Sequence, residues 1–94
     1  MPRDENLRVV AAAVRFGEGD DLAVFTMVPP ARHCTLLWRL RKLMPGVRIG
    51  LDEQGFLLSN GAYCQRQAAA HVAVKAGQLS KPRWPPNLYS EDLW

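Results

Sequence analysis

The dipeptide Asn60-Gly61 is the strongest short-range fold signal in this chain, because a tight primed turn demands positive φ at its central positions and these two residue types tolerate it. It commits the segments on either side, Gly55 to Leu58 and Ala62 to Cys64, to antiparallel pairing. Earlier, Gly17-Glu18-Gly19-Asp20 separates the Val- and Ala-rich run Leu7 to Phe16 from a second apolar run, Leu22 to Val28. Short apolar runs around a Gly- and Asp-rich break read as a hairpin. Helix is the rival reading of the first run, but Val9, Val10, Val14 and Phe16 favour strand. Val47 to Leu51 is a further apolar run, so two or three strands are expected between Val47 and Cys64.

Two helices are expected between and after these strands. From His33 to Met44 the residues Leu36, Leu37, Leu40, Leu43 and Met44 recur at helical spacing, and Pro45-Gly46 stops the run. Trp38 falls cleanly on neither side of that helix and reads as a core edge or as part of a contact surface. The second helix spans Gln65 to Ala76, with Ala69, Val72, Ala73 and Ala76 on one face and Gly77 beyond its end. Lys81 to Trp94 then holds three of the seven prolines and two of the three tryptophans. Disordered tails are poor in aromatics, so this segment is expected to pack, as an extended arm on its own core or on a neighbouring subunit. The fold class is α+β: a small antiparallel β-sheet with two α-helices and an extended aromatic C-terminal arm.

With 94 residues and 48% hydrophobic content, one domain over residues 1–94 is expected, neither a disordered tail nor two domains. A chain of this size hides only about 60–65% of the surface its unfolded form exposes, so self-association is a cheap way to enlarge a thin core. Cys34 and Cys64 lack the number and spacing of a disulfide framework and read as reduced cytosolic thiols. Residues 1–6 lack the apolar stretch of a signal peptide, and no apolar run approaches the roughly 18–20 residues of a membrane span.

The formal charge is only +3, yet nine of the twelve cations are arginine. Guanidinium is planar, bidentate and able to stack on bases, which biases the search toward a phosphorylated ligand; arginine-rich coding in a GC-rich genome is the plain alternative. The arginines are scattered, which argues against a continuous surface for long nucleic acid. No metal site is expected, since the adjacent His33-Cys34 cannot easily chelate one ion. Glycine-rich phosphate loops and zinc-protease motifs are absent, and nothing assembles a catalytic nucleophile with its base.

What remains is arginine beside turns and rings. Arg32-His33 enters the first helix, where backbone N–H groups and a guanidinium can converge on one anion. Arg66 opens the second helix, where a cation opposes the helix dipole and needs an anionic ligand or a carboxylate partner. Gln54-Gly55-Phe56 offers an amide, a bare backbone and a ring within three residues. Each has a plain structural reading as well: Arg32 as a surface residue, Arg66 as the ion-pair partner of Glu91-Asp92, and Phe56 as core.

Taken together, Gln54-Gly55-Phe56-Leu57, Ser59-Asn60-Gly61, Arg66 before an alanine-rich helix ending Ala76-Gly77-Gln78, and the closing Leu88-Tyr89-Ser90-Glu91-Asp92-Leu93-Trp94 resemble the first Thoeris anti-defence family. These are phage proteins that act as nucleotide sponges. Ala12-Ala13-Val14-Arg15-Phe16 and Arg32-His33 fit the same pattern, so the resemblance covers nearly the whole chain. It implies a non-enzymatic, cofactor-free binder of cyclic ADP-ribose isomers, or of cyclic di- or trinucleotides, in the cytoplasm of the infected bacterial host. It also implies homo-oligomers, from dimers to a hexamer, with ligand at subunit junctions. Carried onto this chain, Arg32, His33, Gln54, Gly55, Phe56 and Arg66 would line the site, and Ser90 and Asp92 would contact ribose hydroxyls or fix the arginines. Two other classes stand beside this one: a nucleic-acid-binding phage accessory protein, suggested by a pI near 9.2, and a small nucleotide-modifying enzyme using His33 or Cys34.

Overall fold

The computed structural model describes residues 7–94; residues 1–6, where the lack of an apolar leader is read, lie outside the described residues. Four antiparallel strands, β1 (Val9–Phe16), β2 (Ala23–Thr26), β3 (Gln54–Leu58) and β4 (Tyr63–Gln65), form one sheet in the order β2-β1-β3-β4. β1 is central, with β2 on one side and β3 on the other. Consecutive residues of β1, which point to opposite faces of the sheet, are buried alike, so its sequence runs continuously apolar instead of alternating. That explains the alanines: Ala11, Ala12, Ala13 and Val14 are all buried.

β3 and β4 pair with Phe56 opposite Cys64, as the Asn-Gly signal predicts, but through a different turn. The Gly61 N–H bonds the Leu58 carbonyl at 2.9 Å, and the Leu58 N–H bonds the Ala62 carbonyl at 2.8 Å. Gly61 sits at φ +89° while Asn60 keeps a negative φ, so one left-handed glycine closes a three-residue loop. The Asn60 side chain contributes instead by accepting the Ala62 N–H at 2.9 Å.

α1 (His33–Leu43) and α2 (Arg66–Lys75) cover one face of the sheet. Leu36 and Leu40 of α1, Ala69 and Ala73 of α2, and Ala12, Val14, Phe56 and Leu58 of the strands share one core. The small residues of α2 let it approach the sheet closely, as its composition suggests. Ala70 is buried there, whereas Ala76 is exposed. Trp38 is exposed and lies under the Lys42 ammonium, 5.1 Å from its ring centre.

Two expectations change. Val47 to Leu51 is not a strand, because β1 and β4 already occupy the two edges of β3. The segment instead runs as a loop into a single 3-10 turn at Leu51–Glu53, and Val47 and Ile49 pack against the core from it. The C-terminal segment is not an extended arm. It turns at a Trp84–Asn87 bridge and again in a 3-10 turn at Ser90–Asp92. The Asp92 carboxylate closes that second turn by accepting the Tyr89 N–H at 2.9 Å. Leu88 is fully buried, and Leu93 and Trp94 pack on the same core.

One clasp had no sequence signal. The Gln78 side chain accepts the Val9 N–H and donates to the Val9 carbonyl, both at 2.8 Å. It pairs the start of β1 where the register with β3 shifts. Gln78→Ala leaves both groups of a buried residue without these partners, and chemical denaturation should show a loss of about 1–3 kcal/mol. An unchanged denaturation midpoint would contradict this role.

Candidate functional site

Arg66 is the first residue of α2, where the unpaired N–H groups of the helix already favour negative charge. Its guanidinium is half-buried and held on three sides. Nη1 donates to the Leu88 carbonyl at 3.1 Å, Nη2 donates to Gln54 Oε1 at 3.2 Å, and the plane lies 4.6 Å from the centre of the Tyr89 ring. Burial pushes its pKa below the ordinary arginine value, with Tyr89 and Glu91 acting in the opposite direction. The ion pair with Glu91-Asp92 is not formed. Among the described residues the one ion pair is Arg15 with Glu53, at 2.9 Å.

A groove of about 330 Å³ opens beside this guanidinium. Gln54, Tyr89, Gln65, Gln67, Asn87 and Asp52 line it with Arg66 and the exposed Leu51. The groove therefore joins a desolvated cation, a ring, several amides and a single carboxylate. That set matches the parts of a nucleotide: oxyanion, base face, base edges and ribose hydroxyls.

The structure brings two of the eight candidate residues, Gln54 and Arg66, to this groove. The others are placed elsewhere. Gly55 and Phe56 are buried in the sheet. Gly55 is where the chain's own backbone approaches: a Cβ there would overlap the Cys64 carbonyl and lie 2.7 Å from Tyr63 Oη. His33 is buried in a joint, with Nε2 2.6 Å from the Gly55 carbonyl, Nδ1 3.3 Å from Ser90 Oγ, and its ring edge-on to Phe56 at 4.9 Å. A carbonyl only accepts, so Nε2 carries the proton and Nδ1 accepts from Ser90. Desolvation lowers the His33 pKa to about 4, with Arg66 adding to the fall and the Gly55 carbonyl and Glu91 opposing it. Arg32 donates from Nε to the Trp94 carbonyl at 2.6 Å, while the Trp94 indole donates to the Ala31 carbonyl at 2.8 Å. Asp92 holds the turn at Tyr89. These residues fasten the C-terminal segment that forms one wall of the groove.

Tyr89, Gln65, Gln67, Asn87 and Asp52 are not among the site residues expected from sequence, although Tyr89 lies in the closing motif. The signal for the glutamines was their position on either side of Arg66, at a helix start where a cation already required explanation. Among the described residues no cluster of three or more His, Cys, Asp or Glu is placed to hold a metal ion, and no helix is long and apolar enough to cross a membrane. Residues 8–94 match the family described as Phage T4 y16D protein. No curated protein and no solved structure matches the chain.

Proposed function

Because the chain belongs to the Phage T4 y16D protein family, a family of small phage proteins, we propose that it is a phage-encoded sponge that holds a cyclic ADP-ribose-type signal without degrading it. The observation that carries this reading is the Arg66 guanidinium, half-buried, stacked on Tyr89 and without a carboxylate in ion-pair range, facing a groove lined by amides. A desolvated cation beside a helix N-terminus binds an oxyanion more strongly than an exposed one does. The amides and Asp52 suit base edges and ribose hydroxyls. Binding without chemistry is supported by His33, whose two ring nitrogens are both engaged within the fold. The sequence resemblance to the Thoeris anti-defence sponges supplies the ligand class.

At about 330 Å³ the groove is at the small end of the ~300–1,000 Å³ typical of ligand pockets. It takes a phosphate with one adjoining ring, and a second copy of the chain is proposed to close over the rest. Titration calorimetry with cyclic ADP-ribose isomers should show saturable binding, with the ligand recovered chemically unchanged after heat denaturation. Arg66→Ala should weaken binding about 10- to 100-fold, the value of a charge-assisted hydrogen bond. Arg66→Lys, which keeps the charge but loses the fork, should recover only part of it. Failure of the wild type to bind any cyclic ADP-ribose isomer would end the proposal, and full-strength binding by a folded Arg66→Ala would move the site.

A further inference from the structure

A second groove, of about 350 Å³, lies between the C-terminal half of α1 and the loop that follows it. Its floor is apolar: Leu40 is buried, and Leu37, Val47 and Ile49 are half-buried and packed against the core. Arg41 from the last turn of α1 and Arg48 from the loop stand at its edge. Both arginines are exposed, and no carboxylate lies in ion-pair range of either among the described residues.

Gln54 borders this groove as well as the Arg66 groove, and it is only 9% exposed. A guanidinium can only donate, so the amide corner facing Arg66 is Oε1, and the other corner is the NH2. Among the described residues no protein group bonds that NH2, and it is not sealed from solvent: the buried side-chain polar atom without a partner is Tyr63 Oη. An amide donor open to solvent, two guanidiniums without an ion-pair partner among the described residues and an apolar floor line one cavity. An apolar body removes the floor from water, while an oxyanion on it takes the guanidinium forks and the amide N–H.

We propose that this groove binds a small organic anion, an apolar or aromatic body carrying one phosphate or carboxylate. The site is separate from the Arg66 groove and does not depend on the sponge reading. The probe is phenyl phosphate, titrated into the isotope-labelled protein and followed by methyl and arginine Nε–H signals. Saturable shifts are expected at Leu37, Val47 and Ile49 and at the Nε–H groups of Arg41 and Arg48. Inorganic phosphate and benzyl alcohol, each supplying half of the chemistry, should bind at least tenfold more weakly. Arg41→Gln combined with Arg48→Gln should weaken phenyl phosphate binding at least tenfold, with the methyl spectrum of the free protein otherwise unchanged. Equal binding of inorganic phosphate would overturn the proposal. So would shifts confined to Arg66 and Tyr89, or affinity unchanged in the double variant.

Discussion

Gly55→Ala should lower the melting temperature by roughly 12–24 °C, the shift that about 3 kcal/mol produces in a domain of this size. The cause is local and geometric. The added Cβ would overlap the Cys64 carbonyl in the neighbouring strand and lie 2.7 Å from Tyr63 Oη and 2.8 Å from Tyr63 Cζ. The carbonyl belongs to β4 and cannot rotate away, so the two strands must separate or the sheet must bend. The Tyr63 ring is pinned from outside by the Arg15 guanidinium, 5.0 Å from its centre, and Arg15 is tied to Glu53. The Gly55 carbonyl also receives the His33 Nε2–H, so a displaced strand disturbs the joint behind the groove. Tyr63→Ala in the same background should restore little, because the overlap with the Cys64 carbonyl remains. A Gly55→Ala protein melting within about 2 °C of the wild type would refute this account.

Gly55 also shows what was legible in the sequence. The sequence offers a bare backbone there for close approach, and the structure shows such an approach. The approaching group is the chain's own β4 instead of a ligand, because that distinction depends on strand register. The helices were readable from periodicity and their Pro and Gly stops, and the β1–β2 and β3–β4 hairpins from their turn residues. Val47 to Leu51 was not, since a short apolar run is equally suited to a strand and to a loop lying on the core.

The candidate site divides in the same way. Arg66 was visible because a cation at a helix start contradicts the dipole, a local rule that needs no tertiary knowledge. Tyr89 and Asn87 were not, because they reach the groove only when the C-terminal segment folds back, with the Leu88 N–H on the Arg66 carbonyl at 3.1 Å and the Arg66 side chain on the Leu88 carbonyl. The sequence resemblance implies His33 as a lining residue of the site and Ser90 as a contact to ribose hydroxyls or a group that fixes the arginines. They do meet, but as the two halves of one buried joint.

That joint makes stability depend on pH. The His33 pKa is lowered to about 4 in the folded chain, against an ordinary value of about 6.5. Between these two values the unfolded chain binds more protons than the folded one, so stability falls as pH drops. The imidazole's contribution is complete above about pH 6.5, is lost progressively below it, and is gone near pH 4. About 2.5 pKa units correspond to about 3 kcal/mol. Protonation puts a hydrogen on Nδ1, which then no longer accepts from Ser90, and places a charge beside Phe56 and near the Arg66 guanidinium; Glu91 only partly offsets it. Since Ser90 fastens the segment carrying Tyr89, binding in the Arg66 groove should weaken over the same range. Denaturation midpoints from pH 7 to pH 4 should fall more steeply for the wild type than for His33→Gln, which starts less stable but has no imidazole to titrate. Parallel slopes for the two proteins, or a His33 ring titrating near 6.5 by NMR, would show that the joint does not hold the imidazole neutral.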